Sequence, residues 1–282
     1  MRSPRLGYTL LLVVALAACA PADEPDPQAS GAGCAPGGLK TLTAGKLTFG
    51  TDDPVYPPWF VENKPDNGQG FEGAVALAVA TKLGYTKENV VWVRVPFNTA
   101  IAPGAKTYDI DINEFSITDE RKQAVDFSAP YYDVTQAVVA LKSSRVAGAK
   151  SIADLRGAKL GAQVGTTSLK AINESVQPTA APQVYNNNDD AKQALQNGSI
   201  DGLVVDLPTA FYITSAELDN GLIVGQLPQP SGTPEQFGLV LDKGSALTAC
   251  VSQAVIALRG DGTLAGLEKQ WLAGVSGAPV LS

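Results

Sequence analysis

From residue 46 onward the sequence predicts an α/β architecture in two halves, each a mostly parallel sheet flanked by helices. Three observations carry this expectation. Short apolar runs alternate with longer helical stretches, the pattern of α/β folds. The alternation starts afresh near residue 151. The predicted strands end in polar or acidic residues: Asp52 and Asp53, Asn113 and Glu114, Gln163, and Asp206. Open α/β sheets bind their ligands beyond such strand ends, so four of them over two halves point to a cleft between lobes.

The elements follow in chain order. "KLTFGTD" (46–52) reads as a strand, and "GFEGAVALAVATKLGY" (70–85) as a helix with an apolar face and a stop at Gly84. "VVWVRVP" (90–96) and "YDIDIN" (108–113) are further strands, and "QAVVALK" (136–142) is a strand leaving the first half. In the second half, Ser151 with Asp154 three residues on marks a helix start. A strand at 159–164 and a Gly-Thr-Thr turn into a helix come next. Residues 183–212 repeat the scheme, with a helix at 188–196, a strand at 200–205 and a helix at 208–216. "EQFGLVLDKG" (235–244) is a strand, and two helices separated at 260–262 close the chain.

Within this scheme "DIDINEFSITDER" (109–121) poses a question. It reads as a strand to Asn113, a turn, and a helix start at Thr118. That places Arg121 in a first helical turn, where the helix dipole disfavours a cation. Glu114 stands beside it at the strand end.

The N-terminus belongs to another category. Arg2 and Arg5 precede the apolar run "LGYTLLLVVALAA", which ends at Cys19. A basic start, a short apolar stretch and small residues form an export signal, expected to span residues 1–18. "LAAC" resembles the bacterial lipobox, which implies lipidation of Cys19 and anchoring on the extracytoplasmic side of the membrane. The following segment, 19–45, is rich in Pro, Gly, Ala and Asp and suits a flexible tether.

Composition narrows the function. With 45% hydrophobic and 17% charged residues the chain is globular rather than disordered. A net charge of −7 and the lack of a basic run argue against nucleic-acid binding. There is no histidine, which excludes a Ser-His-Asp triad and a His-based metal site. No phosphate-cradling or dinucleotide-binding glycine motif occurs, and no cofactor is expected. Of the three cysteines, a lipidated Cys19 leaves Cys34 and Cys250 as a pair in an oxidising compartment. They form a disulfide or stay as two free thiols.

Taken together, "FGTDDPVYPPWF", "GFEGAVALAVATKLGY", "DIDINEFSITDERKQAVDFSAPYYD", "NGSIDGLVVD" and the C-terminal "DGT…KQW" resemble the polar-amino-acid solute-binding proteins of ABC uptake systems. The resemblance covers residues 46–273. It implies the type II periplasmic-binding-protein fold, with two lobes joined by two hinge strands and the ligand trapped when they close. The expected division is 46–139 plus 230–282 for lobe 1 and 140–229 for lobe 2. The partners implied are an amino-acid ligand and a membrane permease, with the receptor itself a monomer.

The same resemblance implies residue roles. Arg121 would hold the ligand α-carboxylate, since a guanidinium offers a two-pronged pair that lysine cannot. Thr166 and Thr167 would bind the same carboxylate, although either one could instead cap its helix. Asp206 would take the α-ammonium, with Ser116 and the strand end at Asn113 and Glu114 nearby. Phe97 would stack on the ligand side chain, Tyr56 would form a wall, and Trp59 would pack inside. Asp53 would reach the far end of the ligand, and Glu72 would face either cleft or solvent. Glu114 departs from the family pattern, where a small residue is usual. It either makes the pocket acidic, favouring cationic ligands such as arginine or lysine over glutamine, or pairs internally with Arg121 or Lys122. A dehydratase-like enzyme using Glu114 as a general acid and a ligand-sensing module are the other readings of this fold.

Overall fold

The computed structural model describes residues 33–34, 37–229, 234–275 and 277–282. The expected signal peptide, 1–18, and Cys19 lie outside the described residues. The strands in chain order are β1 (Leu47–Thr51), β2 (Val90–Arg94), β3 (Ile110–Asp111), β4 (Val125–Phe127), β5 (Tyr132–Val134) and β6 (Gln136–Leu141). They continue with β7 (Leu160–Gln163), β8 (Gln183–Tyr185), β9 (Gly202–Asp206), β10 (Gly221–Gln226), β11 (Glu235–Phe237) and β12 (Val240–Asp242).

Two five-stranded sheets result. The first has the order β2-β1-β3-β12-β4, with β1 parallel to both neighbours and β12 antiparallel to its own. The second has the order β10-β6-β9-β7-β8, with β6 antiparallel to β10 and β9 and the remaining pairs parallel. A two-stranded ladder, β5 with β11, joins them. These are two α/β lobes on a pair of hinge strands.

Local sequence explains the main pieces. β1 is buried at all five positions, as a central parallel strand must be. Gly50 within it has no substitute, because a Cβ there would collide with the Asp111 carboxylate. α1 (Phe71–Lys82) packs on the first sheet, and Gly84, at φ +85°, ends it where the sequence predicts. Trp59, fully buried, meets Phe71, Tyr132 and Phe237 edge-to-face at ring distances of 5.6–6.1 Å. This aromatic knot places the hinge strands against the first core. In the second lobe α2 (Ile152–Leu155) opens with the expected capping box between Ser151 and Asp154.

Several boundaries differ from expectation. All of β6 lies in the second sheet, so the first crossing falls near Thr135 rather than at 139. The last residues also return to the second lobe. Leu281 is buried in its core, and Gln226 N–H donates to the Pro279 carbonyl at 2.7 Å. Burial of that one leucine and the backbone pairing around Gln226 move 278–282 out of lobe 1. The strand expected at 235–244 is broken at Gly238, where a Cβ would press on Ile117, and it serves as hinge β11 and then as sheet strand β12. The helix expected from Thr118 is only a 3-10 turn, Arg121–Gln123. Strand β10, half apolar, has no counterpart in the sequence reading.

Cys34 and Cys250 are joined as a disulfide, with Cα atoms 5.3 Å apart. The bridge ties the segment before β1 to the helix Thr248–Gly260. Closing so long a loop restricts the unfolded chain and stabilises the fold by that route. No helix among the described residues is long and apolar enough to cross a membrane.

Candidate functional site

The carboxyl ends of both sheets face one another across a cavity of about 530 Å³, solvent at its mouth included. From the first lobe come Asp52 after β1, Pro54, Tyr56, Phe97, Asn113 and Glu114 after β3, and Arg121. From the second come Gln163, Thr166, Thr167 and Ser168 after β7, then Asn188, Val205, Asp206 and Thr209. The lobes are closed on each other. Trp59 Nε1 donates to Thr209 Oγ1 at 2.8 Å, and the Ser116 and Thr167 hydroxyls lie 3.2 Å apart.

Arg121 is 8% exposed and spans the closure. Its Nη1 donates to the Ser116 carbonyl at 2.8 Å and its Nη2 to the Gly165 carbonyl of the other lobe at 3.0 Å. The guanidinium carbon sits 5.5 Å from the Phe97 ring centroid, and Phe97 stacks on Phe115 at 4.7 Å. The dipole objection to a cation here falls away, because no long helix begins at this point. Three of the five guanidinium hydrogens have no protein acceptor among the described residues, enough for a two-pronged grip on a carboxylate.

Glu114 sits at φ +54°, the left-handed region that a non-glycine residue enters at a cost. Glu72 beneath it stabilises that turn. It is fully buried on α1, and its Oε1 accepts the Glu114 N–H at 2.7 Å and the Tyr131 hydroxyl hydrogen. Its Oε2 has no hydrogen-bond partner. Burial raises the Glu72 carboxyl to about 7, against the pull of those two donors. Burial, then the Glu72, Asp206 and Asp52 carboxylates, hold Glu114 well above the ordinary value. Neither Arg121 nor Lys122 bonds to Glu114. The Thr209 hydroxyl across the cleft opposes the rise.

Asp206 ends β9 and accepts from Gln136 Nε2 at 2.6 Å. It too is held well above the usual carboxylate range, by burial and then Glu235, with the Gln136 amide and Arg121 opposing. Thr166 caps the short helix α3 (Thr167–Ala171) by accepting from the Leu169 N–H, while Thr167 stays free of that duty and turns to Ser116. Asp52 is raised chiefly by burial, with Asp53 and Phe97 N–H groups opposing.

Three expected site residues lie off the cleft wall. Asp53 is exposed and turned away, accepting from Asn63 Nδ2 at 3.0 Å, with Arg94 4.0 Å off. Its neighbour Asp52 takes the position at the pocket, because the turn after β1 sends adjacent side chains to opposite sides. Glu72 faces neither cleft nor solvent but supports Glu114 from behind. Ser116 is buried behind the wall. Tyr56, Phe97, Asn113, Glu114, Arg121, Thr166, Thr167 and Asp206 all line the cavity. Gln163 lines the cavity as one of the expected polar strand ends, although no ligand role was assigned to it, whereas Asn188 and Thr209 have no counterpart in the sequence reading. Asn188 and Thr209 stand at or near helix starts, where Asn and Thr usually serve as caps and carry no separate signal.

Comparisons with known proteins agree with this architecture. The chain is 30% identical over 229 residues to the L-arginine-binding protein of Pseudomonas aeruginosa, covering 76% of this chain and 86% of that one. It is 27% identical over 235 residues to the L-cystine-binding protein TcyJ of Escherichia coli, covering 82% and 84%. Among solved structures, an ancestral arginine-binding protein bound to arginine superposes with a TM-score of 0.66 at 31% identity, covering 80% of this chain and 98% of that one. Residues 47–274 match the model of the bacterial extracellular solute-binding proteins, family 3, and with that match over most of its length the chain belongs to this family.

Proposed function

We propose that the protein captures a polar L-amino acid with a cationic side chain between its lobes and presents it to an ABC permease. It would do so as an exported monomer held at the membrane through lipid on Cys19. One observation carries the ligand class. Asp52, Glu114 and Asp206 converge on the cavity, with Glu72 directly behind, and among the described residues Arg121 is the only cation on its wall. Arg121 and Thr167 suit the ligand carboxylate and Asp206 its ammonium. That leaves Asp52 and Glu114 for the side chain, where a guanidinium or ammonium would relieve their mutual repulsion and a carboxylate would add to it.

A thermal-shift and calorimetric screen of the common amino acids tests this. Arginine or lysine is expected to raise the melting temperature and glutamate to leave it unchanged. Glu114→Gln is expected to cost roughly tenfold in arginine affinity while weakening glutamine far less, since one charged hydrogen bond is lost. Stabilisation by glutamate alone would overturn the assignment. No covalent chemistry belongs to this proposal, so cyclic acids with a leaving hydroxyl are expected to be recovered unchanged.

A further inference from the structure

Behind the cleft wall, a partly buried chain of hydrogen bonds runs where the hinge strands meet the second lobe. Gln136 opens β6 directly after hinge strand β5, and Glu235 opens hinge strand β11 opposite Val134. Gln136 Nε2 donates to Asp206 Oδ1 at 2.6 Å and to Glu235 Oε2 at 3.1 Å, while its Oε1 accepts from Ser168 Oγ at 2.6 Å. The other Glu235 oxygen, Oε1, accepts from the Ser116 hydroxyl. The amide orientation is determined by its neighbours. Turned over, it would set an oxygen against two carboxylates and an NH₂ against the serine. Gln136 is 5% exposed and Ser116 1%, so these bonds work away from water.

We propose that Gln136 and Glu235 are positioning residues of the ligand site, fixing Asp206 as an acceptor for an α-ammonium. Gln136 occupies one Asp206 oxygen and leaves the other for the ligand. Glu235 holds the Gln136 amide from its other side and takes the hydrogen of Ser116, which stays behind the wall. Glu235 rides on a hinge strand and Asp206 ends a strand of the second lobe, with Gln136 bonded to both. Hinge geometry and recognition of the ammonium are thus one device. This rests on the amino-acid reading above.

The test compares L-arginine with 5-guanidinopentanoate, the same molecule without its ammonium, by calorimetry on the full protein and its Gln136→Met and Glu235→Gln variants. The parent is expected to prefer arginine. Each variant is expected to lose about tenfold or more of that preference, the worth of a charged hydrogen bond. A merely structural role would lower melting temperature or weaken both ligands equally, and an unchanged preference in both variants overturns the proposal. If another amino acid stabilises the parent instead, it and its deaminated acid replace the probes. The cationic reading would then fail while the positioning roles are still decided.

Discussion

Replacing Arg121 by alanine is expected to weaken amino-acid binding by at least about 100-fold, because the change removes a buried charge from the pair it would form with the ligand carboxylate. The loss has two parts. The guanidinium is where a carboxylate can be met by two parallel N–H bonds, and it also joins the lobes through the Ser116 and Gly165 carbonyls. Arg121→Lys separates them. Lysine keeps the charge but offers neither the fork nor the flat face above Phe97, so it is expected to recover only a minor share of affinity. Calorimetry with the best amino acid of the screen reads the effect, and the melting temperature without ligand checks folding. Wild-type affinity in the alanine variant would remove Arg121 from the site.

Conformational stability of the ligand-free protein is expected to fall as pH rises from about 4.5 to about 7, the opposite of ordinary acid denaturation. The cause is Glu72, raised from 4.5 to about 7 by burial. Between those values the folded protein keeps a proton that the unfolded chain has released, so the slope of unfolding free energy against pH is negative. The stabilisation is whole below the unfolded value and gone above the folded one, and the span corresponds to a change on the order of 3 kcal/mol. Asp111, fully buried with both carboxylate oxygens unpartnered, is raised well above its usual range and extends the trend upward. Urea titrations across this window, with the disulfide kept oxidised, measure the slope. Glu72→Gln keeps an acceptor for the Glu114 N–H and Tyr131 hydroxyl but cannot titrate, so its curve should be flatter. A parent whose stability climbs through the window, or a variant with the parent's slope, would show that Glu72 is not the titrating group.

Both expectations depend on burial and direction, and these were legible in the sequence to different degrees. Arg121 was singled out by the resemblance of "SIT-x-x-R" to the solute-binding proteins, and Phe97, Thr167 and Asp206 by the same resemblance. Asp53 and Asp52 are adjacent and chemically identical, and nothing in "TDDP" says which one the turn aims inward. Gln136 and Glu235 look like ordinary polar residues at strand starts. Their partners lie 70 and 119 residues away, and only the meeting of two crossings at the hinge makes them neighbours.

The sequence by itself determined the two α/β halves and the strand ends that would carry the site, and it left Cys34 and Cys250 as either a disulfide or two free thiols. Periodicity, caps and composition are local properties, and local energetics enforce them wherever the chain goes. The tertiary structure alone decided that Glu114, the puzzle of "DIDINEFSITDER", lines the cavity with Thr209 on the opposite wall and does not pair with Arg121 or Lys122. It also decided that Glu72 supports that glutamate from behind and that the last residues cross back to the second lobe. Those outcomes rest on side-chain direction and desolvation, which arise only when distant segments exclude water together.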